Sequence, residues 1–177
     1  MDSNSLQRLR TAVRDVPDFP QPGILFKDIT PVLGDAALLK LSLEGMAEVV
    51  KGRRVDKVVG IDARGFIFGA MLAVELGCGF VPARKKGKLP WHTKGIDYEL
   101  EYGTACLELH EDAIRPGENV LLADDLLATG GTARAALELL HSMQANILAS
   151  VFFIELEFLK GRPRVETYGP VHSLLTF

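Results

Sequence analysis

The sequence predicts an α/β domain, a mostly parallel sheet flanked by helices and preceded by a loop-rich N-terminal cap. Short, nearly continuous apolar runs at Lys57 to Ile61, Gly79 to Ala83, Asn119 to Ala123 and Ile147 to Leu156 alternate with helix-period stretches at Gly65 to Leu76 and Thr132 to Met143. That alternation is the signature of strand–helix–strand units around buried strands. With 177 residues the chain has room for one full core and too little for two typical ones. Pro17, Pro20 and Pro22 break the periodicity near the start, which sets the cap apart.

Each element follows from local pattern. Ser3 or Ser5 can cap a short helix reaching Val13, with Leu6, Leu9 and Val13 on one face. The stretch from Phe19 to Pro31, FPQPGILFKDITP, reads as an ordered loop with one short strand and an exposed Phe26. Asp35 caps a second helix carrying Leu38, Leu39, Leu41, Leu43, Met46, Val49 and Val50, and Gly52 stops it. After the strand Gly79 to Ala83 comes a basic loop, RKKGKLPWHTKG, then an antiparallel excursion at Leu100 to Tyr102 and Thr104 to Leu109. Val171 to Phe177 adds an edge strand. No repeat, linker or low-complexity run divides the chain, so it is expected to be a single domain over residues 1–177.

Composition narrows the function. The chain is 47% hydrophobic and 24% charged with a net charge of −3, a balance that gives no sign of a polyanion-binding surface, so nucleic acid is not an expected partner. Cys78 and Cys106 have neither metal-ligand spacing nor a disulfide framework and read as buried free thiols. The N-terminus lacks the apolar core of a signal peptide and no run is long enough to span a membrane, so a soluble, cytosolic protein is expected. His92, His110, His141 and His172 share no ligand spacing, and no G-x-S-x-G elbow occurs.

In an open parallel sheet, ligands lie beyond the carboxyl ends of the strands. Three unusual turns leave such ends: Asp62-Ala63-Arg64-Gly65, Arg84 to Pro90, and the stretch after Asn119 to Ala123, which reads DDLLATGGT. All three are expected to converge on one cleft. In the last, Ala128, Thr129, Gly130, Gly131 and Thr132 stand directly before a helix, so backbone N–H groups point into a shared concavity and the helix N-terminus adds about half a positive charge. Glycine permits close approach and the threonine hydroxyls donate further, which suits a phosphate monoester. No Lys follows the glycines, so this is not a nucleoside-triphosphate loop of the Walker kind. Asp124 and Asp125 would repel the same anion and are acceptors, suited to sugar hydroxyls or to a magnesium ion. Phosphate and adjacent diol together describe a ribose 5-phosphate.

On these residues, VLLADDLLATGGT resembles the phosphoribosyl pyrophosphate motif of the type I phosphoribosyltransferases. FPQPGILFKDITPVL, GIDARGFIFG, RKKGKLP, ELEYGTACLEL and LKGR are similar, in the same order, to segments of the members that use adenine, and together extend over most of the chain from Pro17 to Arg162. The resemblance implies the type I phosphoribosyltransferase fold: a central, mostly parallel five-stranded sheet with a small N-terminal hood, residues 1–34, concerned largely with the base. It implies transfer of a phosphoribosyl group from phosphoribosyl pyrophosphate (PRPP) to N9 of adenine, giving AMP and pyrophosphate, with Mg²⁺ as cofactor and a homodimer as assembly.

Under that resemblance Asp124 and Asp125 hold the ribose hydroxyls and are the candidates for a share in Mg²⁺, and Ala128, Thr129, Gly130, Gly131 and Thr132 hold the 5-phosphate. Asp62, Ala63 and Arg64 form a pyrophosphate loop, often with a cis peptide that here falls at Asp62–Ala63. Arg84, Lys85 and Lys88 neutralise the leaving group, as Arg64 does in a catalytic role, and one such side chain often acts across a dimer interface. Phe26 and Leu126 sandwich the purine while the backbone of Leu25 and Lys27 reads its edge; Lys27 stands where many members carry Arg. Glu101 is the candidate general acid or base and Tyr102 the cleft-closing residue. Two rival readings use the same residues: a phosphoribosyltransferase for another purine, and a non-catalytic regulator that senses PRPP.

Overall fold

Asp2, not Ser3 or Ser5, caps the first helix, α1 (Ser3–Ala12): its carboxylate accepts the backbone N–H of Ser5 at 2.8 Å. Its extended backbone just ahead of the helix puts the side chain over that otherwise unpaired donor. The computed structural model describes residues 1–99 and 103–177 and divides them into two compact units, Met1–Gly45 and Met46–Phe177.

In the first unit, β1 (Arg14–Pro17) pairs antiparallel with β2 (Leu25–Asp28), the short strand expected within the proline-rich stretch, and Val16 stands opposite Phe26. A one-turn helix, α2 (Thr30–Leu33), follows where only loop was expected. Pro31 opens it, because the N–H that proline lacks has no partner in a first turn. Asp35 caps α3 (Ala36–Ala47) as expected, accepting from the N–H of Ala37 at 2.9 Å and of Leu38 at 3.0 Å.

In the second unit a 3₁₀ turn at Glu48–Val50 leads past Gly52, whose φ of +74° turns the chain, into β3 (Lys57–Ile61). Then come α4 (Gly65–Glu75), β4 (Gly79–Lys85), β5 (Thr93–Glu99), β6 (Thr104–His110), β7 (Asn119–Leu127), α5 (Gly131–Ser142), β8 (Asn146–Glu155), α6 (Arg162–Glu166) and β9 (Val171–Thr176). Among the described residues these strands form one seven-stranded sheet in the order β5-β6-β4-β3-β7-β8-β9. Its five strands from β4 to β9 are mutually parallel, which is the expected core, and β6 and β5 extend it antiparallel beyond β4.

Both faces of the parallel core are buried, which is why its strands read as continuous apolar runs rather than alternating ones. Val59, Ile61, Val120, Leu122 and Phe152 point to one side and join Ala136, Leu137 and Leu140 of α5 in a single cluster. Val58, Leu121 and Phe153 point the other way, and there Phe153 stacks on Phe68 of α4 with ring centroids 5.2 Å apart.

Three expectations are corrected. The strand that pairs with β6 is β5, which begins in the last three residues of the segment taken as basic loop and runs on to Glu99: Ile96 and Tyr98 pack on the core at strand period while charged neighbours mask the pattern. Leu100 to Tyr102, the arm expected from sequence, lies outside the described residues. Strand β7 does not stop at Ala123 but runs on to Leu127, because its ladder with β8 continues through the pairs Asp124–Phe152, Leu126–Ile154 and Leu127–Glu155. The helix α6 was not foreseen, being five residues long and opened by Pro163.

Phe68 and Phe153 have no exposed surface. Phe153→Ala is expected to cost about 3–5 kcal/mol of stability, read as a lower midpoint in urea unfolding; an unchanged midpoint would contradict this packing.

Candidate active site

Because β3 and β7 pair in parallel with Gly60 beside Ala123, their carboxyl ends lie side by side. The two turns that leave them line one cavity of about 270 Å³, formed by Ile61 to Arg64 and by Asp124 to Ala133. That is sugar-phosphate size, below the usual range for drug-sized ligands. Arg84 at the end of β4 is tied to the same edge: its Nε donates to Asp62 Oδ2 at 2.9 Å, and its Nη1 donates to the Lys88 carbonyl at 3.0 Å.

The phosphate-loop candidate has the geometry its glycines suggest. Gly130 caps α5 with φ of +78°, and the first helical bond to reach back into the loop is given by Arg134 N–H to the Gly130 carbonyl at 2.9 Å. The N–H groups of Gly131, Thr132 and Ala133 therefore precede the helical ladder and are available to an anion. Thr132 Oγ1 also meets Tyr98 Oη of β5 at 3.4 Å, a contact the sequence did not suggest.

The two carboxylates are in unlike environments. Asp125 is only 7% exposed, and its Oδ2 accepts from Arg64 Nε, which ties the turn after β3 to β7. Asp124 is half-buried beside Gly65, where a Cβ would come 2.5 Å from Asp124 Oδ1 and 3.1 Å from the Ala123 carbonyl oxygen, so a side chain at the start of α4 would displace the Asp124 carboxylate. Burial, then repulsion from Asp125, raises the Asp124 carboxyl well above its ordinary value of 3.8, although the Asp125 N–H donates to its Oδ1 at 2.9 Å. A group so placed gains from hydroxyl donors or a cation. The Asp62–Ala63 peptide is cis, as the resemblance implies.

The cavity thus brings together Asp62, Ala63, Arg64, Asp124, Asp125, Leu126, Ala128, Thr129, Gly130, Gly131 and Thr132. Arg84 borders it through Asp62, whereas Lys85 and Lys88 are exposed and do not line it. Leu25, Phe26 and Lys27 belong to β2 of the other unit; there the Phe26 ring meets Phe19 edge-on at 5.2 Å and Lys27 Nζ donates to Asp15 at 2.6 Å. Glu101 and Tyr102 lie outside the described residues. Among the described residues no three His, Cys, Asp or Glu side chains stand together as a metal cage. Gly161 was missed: the motif LKGR carried it in the sequence, but nothing local said that it touches the phosphate-loop candidate.

The phosphoribosyl transferase domain model matches residues 37–174, so the chain belongs to the phosphoribosyltransferase family. Within that family it falls among the adenine phosphoribosyltransferases. It is 55% identical to the adenine phosphoribosyltransferase of Nitrosococcus oceani over 97% of this chain and all of the relative. The crystal structure of the enzyme from Rhodothermus marinus superposes with a TM-score of 0.95 at 50% identity, covering 99% of this chain and 100% of the other. That of Saccharomyces cerevisiae, complexed with an imino-altritol bisphosphate and adenine, gives 0.92 at 41% identity over 98% and 99%.

The raised Asp124 carboxyl makes a stability prediction. Its folded value lies above the unfolded one, so the favourable term is complete below about pH 3.8 and is lost as pH rises through the folded value. Asp124→Asn should therefore raise the thermal midpoint of the ligand-free protein at pH 7, with the gain shrinking as the pH is lowered toward 4; a lower midpoint at pH 7 would contradict the buried-charge assignment.

Proposed function

We propose that this chain transfers the phosphoribosyl group of PRPP to adenine, giving AMP and pyrophosphate, as a pentosyltransferase of purine salvage. The observation that carries the reading is one strand–turn–helix, β7 to α5, that sets two carboxylates and a fan of backbone N–H groups in the same small cavity.

The reaction breaks the bond from ribose C1 to the pyrophosphate oxygen and makes a bond from C1 to adenine N9. Pyrophosphate leaves with the bonding pair, and N9 gives up its proton. Positive charge develops on the sugar as the leaving group departs, so the site must fix the sugar and neutralise the pyrophosphate without moving either. We assign the 5-phosphate to Ala128, Thr129, Gly130, Gly131 and Thr132 and the ribose hydroxyls to Asp124 and Asp125, each charge-assisted contact worth about 1.5–3 kcal/mol. Arg64, with the Asp62–Ala63 turn, faces the leaving group, aided by Arg84, Lys85 and Lys88. Phe26, the backbone of Leu25 and Lys27, and Leu126 are assigned to adenine, with residues 1–34 as the base-recognition part of a single functional domain. Glu101 is assigned to the purine proton and Tyr102 to closure.

Asp124 and Asp125 would hold magnesium, since two adjacent carboxylates are hard oxygen ligands, though among the described residues they are too few for a complete protein cage. When bound it supplies further charge neutralisation for the pyrophosphate. A homodimer is supported by the apolar surface of α4, where Ile67 and Val74, seven residues apart on one helix face, are 39% and 84% exposed. A cytoplasmic location is supported by Cys78 and Cys106 being free thiols.

Incubation with PRPP, Mg²⁺ and each of adenine, hypoxanthine, guanine and xanthine should yield nucleotide with adenine only. Product from guanine but not adenine would favour the rival purine, and no product from any base would favour a PRPP sensor. Glu101→Ala is expected to lower kcat by about 10²- to 10⁴-fold with little change in KM; an unaltered kcat would remove it from the catalytic residues. Asp124→Asn should raise the KM for PRPP about tenfold or more through the lost charged contact, and an unchanged KM would contradict the diol assignment.

A further inference from the structure

Behind the loop assigned to the 5-phosphate runs a second piece of backbone that has no part in that assignment. The segment from Glu155 to Arg162 leaves β8, passes through a 3₁₀ turn at Glu157–Leu159 and enters α6 with Gly161 as its cap. Gly161 and Gly130 meet backbone to backbone. A Cβ on Gly130 would lie 2.6 Å from the Gly161 carbonyl oxygen, and a Cβ on Gly161 would lie 2.8 Å from both Gly130 N and Thr129 C. Gly130 also holds the left-handed φ of +78° that turns the loop into α5. Neither position can carry a side chain without moving the loop.

An ion pair fixes this segment at both ends. Glu155, the last residue of β8, is 3% exposed and stands beside Leu127, the last residue of β7 before the loop. Arg162, next to Gly161, forks onto it: Nε donates to Glu155 Oε1 at 3.0 Å and Nη2 donates to Oε2. The same guanidinium donates from Nη1 to the Val171 carbonyl at 2.8 Å and from Nη2 to Ser173 Oγ at 3.3 Å, which ties it to β9. The backbone N–H of Leu156 donates to the Leu127 carbonyl at 2.9 Å. A bidentate pair of this kind holds direction as well as distance.

We infer that Gly161, held by the Glu155–Arg162 pair, is a positioning device that sets the loop from Ala128 to Thr132 in its anion-binding shape. The inference rests on the reading of that loop as the 5-phosphate site. Gly161 touches no substrate; it acts by leaving Gly130 one place to be. The consequence is selective, since the turn from Asp62 to Arg64, assigned to pyrophosphate, leaves a different strand and does not meet Gly161.

The test measures binding of ribose 5-phosphate and of pyrophosphate, each with Mg²⁺, by calorimetry, together with steady-state kinetics, on the full chain. Gly161→Ala is expected to weaken ribose 5-phosphate about tenfold or more and to raise the KM for PRPP more than it lowers kcat, with pyrophosphate binding unchanged. Equal loss of both ligands, or no loss of either, would overturn the inference. Should Gly161→Ala fail to fold, Arg162→Lys, which keeps the charge but not the fork, is expected to weaken ribose 5-phosphate at least about threefold with pyrophosphate unaffected, and ribose 5-phosphate binding equal to wild type would overturn it. Failure of the unsubstituted chain to bind ribose 5-phosphate would instead sink the phosphate-loop reading itself.

Discussion

Two carboxylates side by side at the buried end of β7 repel each other, and the architecture around them is arranged to tolerate that repulsion. Asp125 is nearly covered and is held by Arg64, while Asp124 takes an N–H from its neighbour and still has its carboxyl raised. Replacing both by apolar residues would relieve the strand end, so their cost in stability is the physical reason to look for a ligand there. The Arg64–Asp125 pair also joins the turn after β3 to β7, so the elements assigned to the leaving group and to the sugar are held in register before any substrate arrives.

The loop assigned to the 5-phosphate begins within four residues of the acids on the same chain, and backbone keeps the two assignments apart. Strand β7 carries the acids; Gly130, left-handed, turns away from them; and α5 begins at once, with Gly131, Thr132 and Ala133 lining the cavity. The close contact of Gly130 with Gly161 constrains that turn from outside the loop.

Much of this was legible in the sequence because the informative patterns are local. The apolar runs marked the parallel strands, and the five-strand count came with the family resemblance; Thr129 to Thr132 ahead of a helical pattern marked a candidate anion loop; Asp124 and Asp125 announced themselves by adjacency. What escaped was non-local or disguised. The continuation of β7 through the acids depends on pairing with β8, which no window around Asp124 contains. Strand β5 was hidden because Lys94, Asp97 and Glu99 interrupt its apolar residues in the sequence, and Asp2 took the cap from two serines because backbone geometry, not residue preference, decided among them. Gly161 lies 31 positions from Gly130 in the sequence, so its contact with the loop is a property of the fold alone.

The central claim is that one ribose 5-phosphate spans the cavity with its hydroxyls at the acids and its phosphate at the loop. A crystal structure of the chain with AMP tests it most directly. The account predicts phosphate oxygens within about 2.7–3.2 Å of N–H groups between Thr129 and Thr132 and the 2- and 3-hydroxyls donating to Asp124 and Asp125. A phosphate bound instead at the Asp62–Arg64 turn, with the hydroxyls away from both acids, would contradict it.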